Sequence, residues 1–162
     1  MQRTQVIIVR HGETEWNIRG IRQGHLDSRL TTKGMAQAKA LGARLGREKF
    51  TALYSSDLGR AVESAQAIAN VTGHAILTDE RLRERHLGIF QGLNAEEINS
   101  KYPEERRLMR TEGPGYVIPG GETSGRANRC RHPRRRGQRF FSPHPGNFLG
   151  SAAPLRVRQR RN

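Results

Sequence analysis

The stretch VIIVRHGETEWN, residues 6–17, decides how this chain is read. Val6, Ile7, Ile8 and Val9 are all β-branched, and they run without a break into Arg10, His11 and Gly12. A short β-branched run bounded by polar residues suits a strand buried on both faces of a parallel sheet, which predicts a strand over Gln5–Arg10. The end of that strand carries a cation, an imidazole and a residue that permits a sharp turn. In open parallel sheets, ligands bind where strands finish and helices begin.

Working outward, a loop rich in Gly and Arg covers residues 12–29. Thr31 or Thr32 can then cap a helix in which Met35, Ala38, Leu41, Gly42 and Leu45 share one face. Ala52–Ser55 reads as a second strand. Ser56 or Asp57 is expected to cap the next helix, whose apolar face holds Leu58, Ala61, Ala65, Ile68 and Ala69 and which ends near Gly73. His74–Thr78 gives a third strand. This alternation of strand and helix predicts an α/β fold with a parallel sheet flanked by helices. Farther on, Asn94 and Glu97 have capping-box spacing for a short helix over 94–100. Pro103 opens another helical piece that runs to Arg110, and the Gly and Pro content of 113–121 signals a loop.

Two guanidinium groups meet at the expected strand ends. Arg10 sits at the end of the first strand, and Arg60 falls in the first turn of the helix after the second, where unpaired backbone N–H groups also favour an anion. With Asn17, Gln23 and the backbone of Gly12 and Gly24 they outline a phosphate pocket. A histidine among fixed cations is held neutral by repulsion, so His11 keeps a lone pair available for attack on phosphorus. Taken singly, an Arg-His pair or an Arg early in a helix is ordinarily structural, and only the combination points to chemistry. His25, His74 and His86 have no metal-ligand spacing, so no metal site is expected.

The combination extends along the chain. VRHGETEWN, QGHLDSRLTTKG, LYSSDLGRAVESA, LRERHLGIFQGL and PGGETS occur in that order, and together they resemble the histidine phosphatase superfamily, the phosphoglycerate-mutase-like proteins, from about Gln5 to Ser124. The resemblance implies a three-layer α/β/α sandwich, incomplete at the C-terminus. It also implies that His11 is the nucleophile that becomes phosphorylated, and that Arg10 and Arg60 clamp the phosphoryl oxygens. Asn17, Gln23 and Gly24 would complete that pocket, and Glu84 would protonate the leaving oxygen. Without the resemblance, Glu84 reads as a surface carboxylate paired with Arg83 or Arg85. The implied substrate is a small phosphorylated metabolite, with no metal or organic cofactor.

The resemblance stops at Ser124. Members of the family continue with a long amphipathic helix and an apolar strand ending in Ser-His-Gly or Thr-His-Gly, whose histidine holds the equatorial oxygens. Here His132 stands in RHPR and His144 in PHPG, and neither follows an apolar strand. The chain therefore divides into a partial histidine-phosphatase-like domain, 1–124, and a tail, 125–162.

Charge draws the same boundary. The whole chain carries +14, yet all 15 acidic residues lie before residue 123 and the last 38 residues hold 11 Arg and no acid. The body keeps the other 18 basic residues against those 15 acids, a net of +3. The tail has no apolar period and disorder is expected of it. Its abrupt change of composition suggests a shifted reading frame of a GC-rich gene. A genuine arginine-rich tail that binds nucleic acid through phosphate contacts, with Phe140 and Phe141 stacking on bases, is the alternative.

The expected activity is phosphomonoester hydrolysis through a phosphohistidine, impaired or absent in this chain because of the missing histidine. Glu84-Arg85-His86 and Gln91-Gly92-Leu93 are similar to mutases, which makes a phosphoglycerate mutase the alternative, whereas the PGGET loop favours the broad phosphatases. The lone cysteine, Cys130, cannot form an intramolecular disulfide. No apolar run reaches the roughly 18 residues that span a bilayer, and the first residues do not form a secretory signal. These features predict a cytoplasmic protein without membrane association, and set no oligomeric state.

Overall fold

A computed structural model describes residues 5–123 of the chain. All of these lie in one compact unit. The expectations for the tail, including those for His132, His144, Phe140 and Phe141, lie outside the described residues.

The best-built part is a βαβ unit. Strand β1 (Leu53–Ser55) passes through helix α3 (Gly59–Thr72) to strand β2 (Ile76–Thr78), and the strands pair in parallel with Leu53 opposite Ile76 and Ser55 opposite Thr78. Helix α2 (Thr32–Leu45) starts as expected, with the Thr31 hydroxyl accepting the Gly34 N–H at 2.9 Å. It buries a stripe of Gly34, Ala38, Gly42 and Leu45. The small residues let α2 and α3 touch backbone to backbone, since a Cβ on Gly42 would lie 2.5 Å from the carbonyl oxygen of Ala67. Leu45, Leu53, Ile68 and Ala69 form the core beneath, joined by Leu41, Phe50 and Ile76. Helix α3 ends where Gly73 takes up a left-handed φ of 74°, a conformation glycine adopts without a Cβ penalty.

A second core gathers Leu87, Phe90, Ile98, Tyr116 and Ile118. Helix α4 (Ala95–Lys101) begins with the expected reciprocal capping box of Asn94 and Glu97, and α5 (Pro103–Thr111) has proline in its first turn. The chain closes this part by bridging Leu87 to Gly121. The molecule thus has the expected mixed α/β fold with a parallel sheet. Among the described residues no helix is long and apolar enough to cross a membrane.

Three local expectations are corrected. Residues 5–10 are not a strand, and Val6 and Ile8 are 67% and 77% exposed. The physical reason is the lack of a neighbour. A β-branched segment becomes a strand only when another strand accepts its backbone, and the sheet among the described residues consists of β1 and β2. The loop over 12–29 contains a one-turn helix, α1 (Glu15–Ile18), capped by Thr14 with Asn17 reciprocating. Finally, neither Ser56 nor Asp57 is the N-cap of α3. That position belongs to Leu58, which makes no side-chain cap, and Asp57 is engaged in an ion pair with Arg83.

Candidate active site

Arg60 organises one wall of the site. It is the second residue of α3 and only 4% exposed. A guanidinium taken this far from water is strongly disfavoured unless its protons are matched by acceptors. Nη1 donates to the carbonyl of Leu26 at 2.9 Å and to Asp27 Oδ1 at 3.1 Å, and Nη2 donates to the carbonyl of Gly24 at 2.9 Å. These bonds use both Nη1 protons and one on Nη2. The Nε–H and one Nη2–H are left over as donors for a ligand.

Asp27 does more than neutralise Arg60. Its carboxylate also accepts the backbone N–H of Arg60, at 3.2 and 3.3 Å from its two oxygens, and so supplies to α3 the acceptor its own N-cap lacks. Gly59 makes the approach feasible, since a Cβ there would stand 2.6 Å from Asp27 Oδ2. Gly24 is equally constrained. Its φ is +55° and a Cβ would fall 2.2 Å from Gln91 Oε1.

His11 reaches the site from the opposite wall. The Gly12 N–H donates to Ser64 Oγ at 3.0 Å, and that hydroxyl donates to the carbonyl of Arg60 at 2.8 Å, so the histidine segment is tied to the same helix turn that carries the guanidinium. The His11 Nδ1 lies 2.7 Å from the carbonyl oxygen of Gly12. A carbonyl only accepts, so Nδ1 carries the proton and Nε2 of the neutral ring keeps its lone pair. Burial holds the imidazole below its ordinary value of 6.5. The Gly12 carbonyl opposes that, Arg60 and Arg10 reinforce it, and Asp27 opposes it again.

All seven residues singled out from the sequence, Arg10, His11, Asn17, Gln23, Gly24, Arg60 and Glu84, line one cleft of about 240 Å³. Their engagement differs. Asn17 spends its side-chain oxygen on the Thr14 N–H, at 3.0 Å, which leaves its amide N–H groups for a ligand. Gln23 is buried and donates to Thr14 Oγ1 at 2.8 Å, so part of its amide supports the loop. Glu84 is exposed on the rim, its Oε1 accepting the Arg85 N–H at 3.1 Å, while its carbonyl accepts from His25 Nε2 at 2.8 Å. Arg83 is not its partner, being committed to Asp57 and Glu80.

The sequence reading gave no place in the site to Asp27, Ser64, Gln91, Arg22 or Arg85. Arg22 and Arg85 line the cleft, and the other three hold its walls. Asp27 lies inside the quoted QGHLDSRLTTKG, but nothing in its spacing shows that it meets a residue 33 positions on.

Comparison with known proteins places this geometry in context. The family described as the histidine phosphatase superfamily (branch 1) matches residues 6–133. Phosphoglycerate mutase-like protein 4 of Arabidopsis thaliana is 45% identical over 122 residues, covering 74% of this chain and 53% of the relative. Probable phosphoglycerate mutase GpmB of Photorhabdus laumondii is 40% identical, over 74% of this chain and 55% of its own length. Among solved structures, a mycobacterial glucosyl-3-phosphoglycerate phosphatase complexed with VO3 superposes with a TM-score of 0.64 and 38% identity, covering 70% of this chain and 54% of that one. Bacillus stearothermophilus YhfR gives 0.65 and 40%, over 70% and 56%. The chain spans about half the length of the relatives it matches.

Proposed function

The chain belongs to the histidine phosphatase superfamily, and from that premise we propose that its cleft takes the phosphoryl group of a small phosphomonoester onto His11. Nε2 attacks phosphorus, the bond to the ester oxygen breaks, and Glu84 gives that oxygen a proton. Water then attacks the phosphohistidine, releases inorganic phosphate and restores the free ring. Arg10 and the two remaining donors of Arg60 offset charge on the transferring oxygens, and Asn17, Gln23 and Gly24 close the pocket. No step requires a metal or an organic cofactor.

The observation that carries this reading is the pairing, in one cleft, of an imidazole whose Nδ1 is bonded to a backbone carbonyl with an almost wholly buried guanidinium. The VO3 complex of the mycobacterial phosphatase supports it, because vanadium(V) oxyanions resemble phosphate in shape and charge. The test is to incubate the protein with a labelled phosphomonoester. Label that is stable in base and labile in acid is expected, and its retention by His11→Ala would overturn the assignment.

Turnover is proposed to be weak in this chain. The histidine that the family uses on the equatorial oxygens has no counterpart within 5–123, and the segment carrying Arg10 and His11 lacks strand support. Mutase activity is the second reading, favoured by Glu84-Arg85-His86 and by the mutase names of two relatives. Incubation with a phosphoglycerate separates the two: a phosphatase releases inorganic phosphate, and a mutase yields the positional isomer.

A further inference from the structure

The proton donor proposed above sits in irregular backbone. Glu84 lies between two short 3-10 turns, Glu80–Leu82 and Gly88–Phe90, so its place on the rim of the cleft depends on bonds from other segments. The residues on either side are fastened away from the phosphate pocket. Arg83 pairs with Asp57, and His86 exchanges bonds with Glu122, its N–H donating to Oε2 at 3.0 Å and its carbonyl accepting the Glu122 N–H at 2.9 Å. Glu84 itself is tied elsewhere, its carbonyl accepting from His25 Nε2 at 2.8 Å.

That tie leads back to the phosphate pocket. His25 follows Gly24, whose carbonyl accepts from Arg60 Nη2 at 2.9 Å, so a single dipeptide joins the guanidinium to the acid with a hydrogen bond at each end. The dipeptide is held firmly. The His25 N–H donates to Gln91 Oε1 at 2.7 Å, the same oxygen accepts the Leu87 N–H at 3.3 Å, and a Cβ on Gly24 would fall 2.2 Å from it. The His25 ring stands edge-on to that of His86, with centroids 4.9 Å apart. Among the described residues, the lining of the cleft does not include His25. A carbonyl only accepts, so His25 Nε2 carries a proton in this bond, as it can in the neutral ring and in the imidazolium alike. A bond so open to water adds little to stability, whereas small misplacements of a catalytic group cost about 10²-fold in rate. Its loss is therefore felt in the chemistry more than in the fold.

We propose that His25 is a positioning residue. Through the Glu84 carbonyl it holds the proton donor in place relative to the phosphoryl group bound at Arg60, so that protonation of the leaving oxygen depends on it and phosphate binding does not. This rests on the phosphoryl-transfer reading and adds to it a residue that touches neither substrate nor reacting atoms.

Two esters that differ in their leaving group test the idea with the full chain. The nitrophenolate of para-nitrophenyl phosphate leaves without a proton, whereas the alcohol of benzyl phosphate needs one, and the first alcohol released per protein molecule reports the transfer step. His25→Phe keeps a ring against His86 and removes the N–H. It should lower the benzyl rate relative to the para-nitrophenyl rate by about tenfold or more, part of the roughly 10²–10⁴ that a general acid supplies, and should leave inhibition by inorganic phosphate unchanged. His25→Gln, which carries an N–H at similar reach, should restore most of that ratio. In Glu84→Gln, which has lost the donor, the ratio should already be low, and adding His25→Phe should lower it no further. Circular dichroism reports whether each variant folds. An unchanged ratio in His25→Phe, a loss shared equally by both esters, weaker phosphate inhibition, a further fall in the Glu84→Gln background or loss of structure would each overturn this inference alone. A wild-type ratio in Glu84→Gln removes the proton donor and this proposal with it, and no release from either ester by the wild type defeats phosphoryl transfer and this proposal together.

Discussion

The two walls of the cleft are built to different standards. On one, Arg60 is gripped by Leu26, Asp27 and Gly24 and lies within a helix that packs backbone to backbone on its neighbour. On the other, His11 hangs from an extended segment whose residues 5–9 make no hydrogen bond among the described residues and leave Val6 and Ile8 exposed. It is restrained beyond the histidine, by the Gly12–Ser64 bond, by the close approach of Gly12 to Gly34 and by the bonds of Glu13 to Gln37 and Thr31. The difference teaches that anion binding and phosphoryl transfer make separate demands. A preorganised guanidinium suffices to hold an oxyanion, but attack also requires the nucleophile to be placed accurately.

The largest effect is expected at the rigid wall. Arg60→Ala should lower turnover of an aryl phosphate by about 10²–10³, as removal of a preorganised donor does, and should abolish competition by inorganic phosphate. Lys in its place should rescue little, because one ammonium cannot bridge three protein oxygens and an anion. Full turnover in Arg60→Ala would show that the wall is not part of the site.

The less supported wall predicts the next effect. Extending the body with a homologous C-terminal segment that supplies an apolar strand and the second histidine should raise aryl phosphate turnover by about 10² or more, the scale on which small misplacements of a catalytic group are felt. Equal rates for the two proteins would mean that His11 is adequately held as it stands.

Asp27 sharpens the contrast by linking wall and helix. Asp27→Ala should cost about 1–2 kcal/mol of stability, the range for loss of a helix-capping acceptor, and should weaken phosphate binding, with Asn intermediate in both. Asp27 is partly exposed, which moderates its charge effect. Thermal unfolding and phosphate titration read the two consequences separately. An unchanged phosphate affinity would limit Asp27 to a capping role.

The smallest effect concerns protons. Because the folded pKa of His11 lies below 6.5, the unfolded chain binds more protons in the window between the two values, and stability rises with pH across it. The contribution is fully present above 6.5 and is lost as pH falls through the folded value. NMR titration of the His11 ring should give a midpoint below 6.5, and Arg10→Gln should move it upward. A midpoint at or above 6.5 in the wild type would contradict the burial and charge described for the ring.

Much of this was legible in the residues. Thr31 begins α2, Gly73 ends α3 and the capping box at Asn94 and Glu97 forms, because each depends on interactions within about four residues. The seven residues singled out for a site come from short motifs far apart in the chain, and the fold brings all seven to one cleft. The β-branched run at 6–9 shows the limit. Its composition states a preference for a sheet, but no residue within it states whether a partner strand is present.

The sequence by itself determined helices α2 to α5, the N-caps of α2 and α4, the end of α3 and the α/β alternation, all of them consequences of local periodicity and residue type. Only the tertiary structure decided that Asp27 caps α3 in place of Ser56 or Asp57. It also decided that residues 5–10 lie outside the sheet. Such pairings join residues tens of positions apart, and the energy of an ion pair or a strand edge depends on distance in space, which the order of residues along the chain does not encode.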